Sequence, residues 1–178
     1  MNERVFQYCP RCGAKKFVPK GVKNFHCLDC GFEYYFNPCG ATAGFVCDPQ
    51  GRILVTRRAH DPAAGTLDLP GGFIDFHETA EEALKRELLE ELNLKISHLR
   101  YICSIPNRYE YSGVLYHTID LLFLCRAENI QAIRIGEELT GYHFLPIEEI
   151  DLREVGFASI RRGLEYLREQ IQCGEIRL

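Results

Sequence analysis

The sequence predicts an α/β-class domain of the α+β kind, a sheet with helices packed on it, behind a small cysteine-rich lobe. Three observations carry this. Two segments, Thr79 to Leu92 and Ala158 to Ile171, place apolar residues at helical spacing. Several other runs read as strands, and they do not alternate one for one with helices as a βαβ repeat requires. The composition also shifts. Residues 1–36 are rich in Cys, Lys and aromatics with no long periodic segment, a piece too small to bury a core alone. The expected division is therefore 1–36 and 37–178, with Phe36 to Gly40 as the hinge. A chain of 178 residues, 46% hydrophobic and 26% charged, has room for one core and such an appendage.

The elements follow in order. Thr42 to Cys47 reads as a strand, Asp48-Pro49-Gln50-Gly51 as a turn, and Arg52 to Thr56 as the returning strand of a hairpin. Leu99 to Ile105, Val114 to Cys125 and Leu139 to Leu145 read as further strands. Pro146 to Ile150 reads as a short helical turn. In the last helix Ile160, Leu164, Leu167 and Ile171 form the apolar face.

Charge and composition exclude some functions. A formal net charge of −4 argues against nonspecific nucleic-acid binding as the main task. It does not argue against a phosphorylated substrate, because bound metal ions reverse the local field. The longest apolar runs, such as Ile119 to Cys125, fall far short of the roughly 20 residues of a membrane span. The first ten residues lack the apolar stretch of a signal peptide. Nine cysteines without a secretion signal point to reduced thiols and metal ligands, hence to the cytoplasm.

Four of those cysteines form two knuckles, Cys9-Pro-Arg-Cys12-Gly and Cys27-Leu-Asp-Cys30-Gly. Each pair sets two thiolates on one tight turn. Four sulfurs close a tetrahedron around Zn²⁺ and leave no open position, so the metal is structural. Cys39, Cys47, Cys103, Cys125 and Cys173 are scattered, mostly in apolar runs, and read as small core residues. In the lobe Arg4, Arg11, Lys15, Lys16, Lys20 and Lys23 outnumber Glu3, Asp29 and Glu33. That mild basic excess suits a nucleic-acid-binding ribbon, and equally a solvated surface.

The chemistry lies in the helix at Thr79. Thr79 with Glu82 makes a capping box, and Asn93 suits a left-handed end. Projected at about 100° per residue, Ala80, Leu84, Leu88 and Leu92 form the apolar stripe. Glu91 falls within it, Glu87 lies at its border, and Glu90 comes one step further round. Acids on a face that should meet the protein body require cations, and hard divalent ions such as Mg²⁺ or Mn²⁺ suit oxygen clusters and bring phosphates with them. A solvated acidic face, with Arg86 paired to Glu82 or Glu90, is the plainer alternative. The preceding Pro70-Gly71-Gly72 favours the metal, since glycines let the backbone approach a ligand closely.

This stretch resembles the Nudix box, G-x5-E-x7-R-E-U-x-E-E-x-G-U, where U is a bulky aliphatic. Gly72, Glu78, Arg86, Glu87, Leu88, Glu90, Glu91 and Leu94 match, and Asn93 replaces the last glycine. The resemblance covers residues 40–150 and implies an α/β/α sandwich around a mixed sheet. It further implies that Glu87, Glu90 and Glu91 bind Mg²⁺ or Mn²⁺, with the Gly71 carbonyl as a further ligand. Glu78 and Arg86 orient the site. A glutamate from a later loop, Glu138 with Glu137 as the alternative, joins them. The implied reaction is attack of metal-activated water on a diphosphate phosphorus, with Glu87 or the late-loop acid taking the proton. A homodimer is expected from the same resemblance.

A zinc ribbon joined to such a domain resembles the NADH pyrophosphatases, whose S-Q-P-W-P-F-P-x-S motif corresponds to Ser104 to Ser112. Ser104, Pro106 and Ser112 match and Tyr109 keeps an aromatic, but the Trp and two prolines are missing. The substrate expected is a nucleotide-derived small molecule of the NADH, NAD or ADP-ribose type, with dinucleoside polyphosphates and nucleoside triphosphates also open. Tyr109 and Tyr111 stack on its base or form a surface pair. The competing class is a nucleotide-sensing regulator with a nucleic-acid-binding ribbon. Such a protein would tend to lose acids of the box, and all are present.

Overall fold

The computed structural model describes residues 6–128 and 130–178. Glu3 and Arg4, counted in the basic excess of the lobe, lie outside the described residues. The chain divides into two compact units. One runs through Pro38 and includes Arg108–His117; the other comprises Cys39–Asn107 and Thr118–Leu178.

In the smaller unit three short antiparallel strands, β1 (Phe17–Pro19), β2 (Asn24–Cys27) and β3 (Glu33–Tyr35), form a sheet of order β1-β2-β3. Its core is Cys9, Phe17, Phe25 and Cys27, packed by Phe6, Ala14, Cys30 and Phe32. Stacking of Phe17 on Phe25 at 5.4 Å between centroids supplies much of this contact.

The larger unit is built on β4 (Cys39–Cys47), β5 (Ile53–Arg58), β6 (Leu67–Asp68), β9 (Leu139–Leu145) and most of β7 (Ile96–Tyr111) and β8 (Val114–Ala127), whose Arg108–His117 stretch belongs to the smaller unit. The order is β6-β5-β4-β8-β7, with β9 also pairing β5. Strands β4 and β8 run parallel, while β5 is antiparallel to β4, β6 and β9, so the sheet is mixed. Period-two alternation sorts its side chains to two faces. Phe45, Ile53, Val55 and Leu122 join Ile160, Leu164 and Leu167 of α2 (Ala158–Gln172). Val46, Leu54 and Phe123 join Leu84, Leu88 and Leu92 of α1 (Ala80–Leu92). The result is the α/β/α sandwich.

The Asp48–Gly51 turn forms as expected, with Asp48 Oδ1 accepting from the N–H groups of Gln50 and Arg52. The short helical turn after β9 is a 3₁₀ turn at Ile147–Glu149. Sequence reasoning stopped β7 at Ile105, yet the strand continues to Tyr111. Pro106 is tolerated because β7 is an edge strand. Of the scattered cysteines, Cys47 and Cys125 are buried and Cys103 half-buried, but Cys39 and Cys173 are exposed and are not core residues. No helix among the described residues is long and apolar enough to cross a membrane.

Candidate active site

Helix α1 starts where its sequence dictates. Glu82 N–H donates to Thr79 Oγ1 at 3.2 Å, and Thr79 N–H donates to Glu82 Oε2 at 2.8 Å. It ends at Asn93, left-handed at φ 55°, ψ 32°. Leu94 N–H reaches back to Leu88 O at 3.0 Å, sealing the terminus and burying Leu94. The buried stripe is Ala83, Leu84, Leu88 and Leu92, with Ala80 at its margin.

Against this helix lies the Leu69–Gly72 turn. It is stitched to β4 by Gly44 N–H to Pro70 O at 2.9 Å and Thr42 N–H to Gly72 O at 2.8 Å. Gly71 adopts φ 144°, and a Cβ there would overlap the Thr42 carbonyl and Ala43 Cα. At Gly72 a Cβ would overlap the Glu87 carboxylate. Both glycines therefore bring bare backbone up to the acids. Gly71 N–H donates to Glu91 Oε2 at 3.2 Å. Gly71→Ala should cost about 1–3 kcal/mol in a urea unfolding titration, as overpacking does. Gly141→Ala, with open space around its would-be Cβ, should be close to neutral. Equal effects of the two would refute the close-approach account.

Arg86 organises the rim. Its Nε and Nη2 donate to Glu78 Oε1 and Oε2 at 2.8 and 3.0 Å, a two-pronged pair. Nη1 donates to Glu87 Oε1 at 2.8 Å and Glu90 Oε2 at 3.2 Å, and Nη2 also reaches Phe73 O at 3.0 Å. Of the two partners weighed for Arg86 in the plainer reading, Glu90 is the one it holds, while Glu82 is committed to the cap. The same pairing pulls the Glu78 carboxyl below its usual range, aided by the Asp75 N–H.

The three helix acids are not equivalent. Glu87 is 15% exposed at the side chain, but Glu90 is 60% exposed. The sequence projection set all three against the body. Glu90 instead stands at the rim, because the apolar stripe is too narrow to include it. Glu91 is mostly buried. Burial pushes its carboxyl up to about 8, and the charges of Glu87, Glu138 and Asp68 push the same way. Burial also raises Glu87, against the pull of Arg86.

Glu138 shares this field, since its charge acts on both Glu87 and Glu91. Its loop is docked on α1 by Gly136 N–H to Glu91 O at 2.7 Å, and Glu138 O accepts from Ala59 N–H at 2.9 Å. Sequence reasoning missed Asp68 altogether. It is 8% exposed, sits one residue before the Leu69–Gly72 turn, and accepts from Arg58 Nη1 at 3.0 Å. Its signal was weak, a single Asp in a two-residue strand.

Among the described residues, only the four cysteines bring three or more metal-binding side chains within 4.8 Å of one another. Cys9 Sγ lies 3.8 Å from Cys30 Sγ, and Cys12 Sγ lies 3.7 Å from Cys27 Sγ. A tetrahedron with Zn–S near 2.3 Å has edges of about 3.8 Å, so these sulfurs fit zinc. Backbone N–H groups, Cys30 first, lower the Cys27 thiol, while hydrogen bonds to the neighbouring thiols raise that of Cys12. The helix acids are looser, with Arg86 between two of them. Their donor set is all oxygen, and Glu91 is buried beside like charges, which fits a hard divalent ion.

Tyr109 and Tyr111 fall in the smaller unit with the cysteines. Their rings stack on each other at 6.4 Å with 26° between planes.

A model of the NUDIX domain matches residues 38–166. A NAD-capped RNA hydrolase NudC of Photorhabdus laumondii is 35% identical over 121 residues, 66% of this chain and 45% of that protein. An ADP-ribose pyrophosphatase of Methanocaldococcus jannaschii is 35% identical over 95 residues, 52% of this chain and 53% of that protein. The chain spans about half the length of these curated relatives. Among solved structures, a NUDIX hydrolase from Nitrosomonas europaea superposes with a TM-score of 0.71 at 22% identity, over 95% of this chain and 94% of that one. The NUDIX domain of Shewanella oneidensis NrtR, complexed with ADP ribose, gives 0.60 at 20% identity over 76% and 89%. These likenesses show a shared fold.

Proposed function

Because the chain belongs to the NUDIX family, we propose that it is a pyrophosphohydrolase that cleaves a nucleoside diphosphate linked to a second moiety, of the NAD(H) or ADP-ribose type. The observation that carries this reading is the mostly buried Glu91, crowded by the charges of Glu87, Glu138 and Asp68 beneath a glycine turn. Such crowding is costly unless a cation of higher charge enters. The NAD cap and the ADP-ribose for which the two relatives are named both contain an ADP diphosphate, which supports the substrate class.

Mg²⁺ or Mn²⁺, once bound, would lower the pKa of an attacking water and offset charge on the diphosphate oxygens. The chain supplies the rest. Glu87, Glu90 and Glu91 hold the ions, with the Gly71 carbonyl as a further donor. Arg86 keeps Glu87 and Glu90 oriented, and Glu78 keeps Arg86 in place. Glu138, on a loop anchored to α1 through Gly136, takes the proton of the attacking water, with Glu87 as the other candidate base. Tyr109 and Tyr111 offer aromatic faces to the base. The four cysteines hold a structural Zn²⁺. We place the protein in the cytoplasm, where thiols stay reduced, and expect a homodimer, which light scattering checks.

The test is product analysis by chromatography after incubation with NADH, NAD, ADP-ribose, a dinucleoside polyphosphate and a nucleoside triphosphate, each with Mg²⁺ or Mn²⁺. The expected result is AMP and the complementary monophosphate from NADH or ADP-ribose, lost in Glu90→Gln. Tight ADP-ribose binding without turnover on any compound would instead identify a nucleotide sensor.

A further inference from the structure

We propose that Asp68 is a positioning residue of the metal site: clamped by Arg58, it sets the Leu69–Gly72 turn whose Gly71 N–H contacts Glu91, so that cation binding depends on it. The inference rests on the proposed metal-dependent chemistry but assigns a residue outside the acidic helix.

The geometry is specific. Asp68 closes β6 and directly precedes the turn that carries Gly71. Oδ1 accepts from the N–H of Leu69 at 2.9 Å, fixing the first step of that turn. Oδ2 accepts from Arg58 Nη1 at 3.0 Å. Arg58 is itself pinned: its Nε donates to Pro62 O at 2.9 Å, and its guanidinium lies 5.0 Å from the Phe157 ring centroid at the start of α2. Thr56 Oγ1 donates to Asp68 O at 3.3 Å, tying the backbone to β5. Both carboxylate oxygens and the carbonyl of Asp68 are thus held, and the held object is the turn whose Gly71 N–H contacts Glu91. A second buried acid, Asp120, lies close enough for its charge to act on Asp68, and is satisfied by Thr118 Oγ1 at 2.7 Å.

An ion pair placed only for stability would be a poor choice here. Burial raises the Asp68 carboxyl to about 6 despite Arg58, so the pair gains little over an apolar one. Outer partners of metal ligands typically contribute 10–100-fold to metal affinity or activity.

The experiment counts bound Mn²⁺ by electron paramagnetic resonance of the free ion, without substrate, on zinc-loaded protein. Asp68→Asn keeps an oxygen for the Leu69 N–H but removes the charge. Arg58→Gln releases the clamp from the other side. Each should weaken Mn²⁺ binding about tenfold or more, with the melting temperature in the absence of Mn²⁺ changed far less. Either variant, folded and binding Mn²⁺ within about twofold of wild type, overturns the proposal. If neither folds, amide exchange of the wild-type chain decides. Slower exchange at Leu69 on adding Mn²⁺ supports the proposal, and unchanged exchange overturns it. A wild-type chain that binds no Mn²⁺ fails at the earlier step, the metal-dependent reading itself.

Discussion

Glu91→Gln is expected to abolish metal-dependent turnover and, at the same time, to stabilise the protein when no Mg²⁺ or Mn²⁺ is present. The two effects share one cause. Glu91 is set among the charges of Glu87, Glu138 and Asp68, and its carboxyl sits at about 8 against an ordinary value of 4.5. Below about pH 4.5 the group is protonated in both folded and unfolded chains, so Glu and Gln should be equally tolerated. Between about 4.5 and 8 the folded chain holds a proton that the unfolded chain releases. Rising pH therefore favours unfolding across that window, and above it the penalty is constant, on the order of a few kcal/mol. Gln keeps the acceptor for the Gly71 N–H and carries no charge, so it escapes the penalty. Urea titrations at pH 5 and pH 8.5 on zinc-loaded protein should show the variant gaining on wild type only at the higher pH. Adding Mg²⁺ should rescue wild type and leave the variant unmoved. Turnover should fall by at least about 100-fold, since losing a ligand costs more than losing an outer-shell partner. A variant less stable than wild type at pH 8.5 would mean that Glu91 is a structural acid, not one poised for a cation.

The contrast between Glu91 and Glu90 shows where sequence reasoning ran true and where it failed. The cap at Thr79, the left-handed end at Asn93 and the Leu84-Leu88-Leu92 stripe are local features, set within one helix, and the structure has them where the residues indicated. Whether an acid beside the stripe is buried depends on the width of the opposing surface, and that is not local. Gly72 and Gly44 determine how closely backbone meets α1, and they leave Glu90 outside. Asp68 was invisible for a related reason. A two-residue strand carries no period, and the Arg58 that gives Asp68 its role comes from the neighbouring strand. Strand β9 was legible to its ends because its apolar residues are bounded by turn residues. Strands β1 to β3 were not, being three or four residues each and organised around four sulfurs, with no alternating apolar face to read.

Those four sulfurs give the other large effect. Cys12→Ser should release zinc and unfold the smaller unit while the larger one stays folded. The smaller unit's buried core is Cys9, Phe17, Phe25 and Cys27, two of them members of the four-cysteine cluster, and no member of it belongs to the two clusters of the sandwich. So small a core cannot offset the chain entropy of ordering these residues. Structural zinc supplies about 10–16 kcal/mol in comparable sites, enough to decide folding. Hydrogen exchange read by mass spectrometry should show Phe17–Tyr35 losing protection and the amides of α1 keeping theirs. Protection of Phe17–Tyr35 that is unchanged in Cys12→Ser would overturn this and show that the lobe folds without the metal.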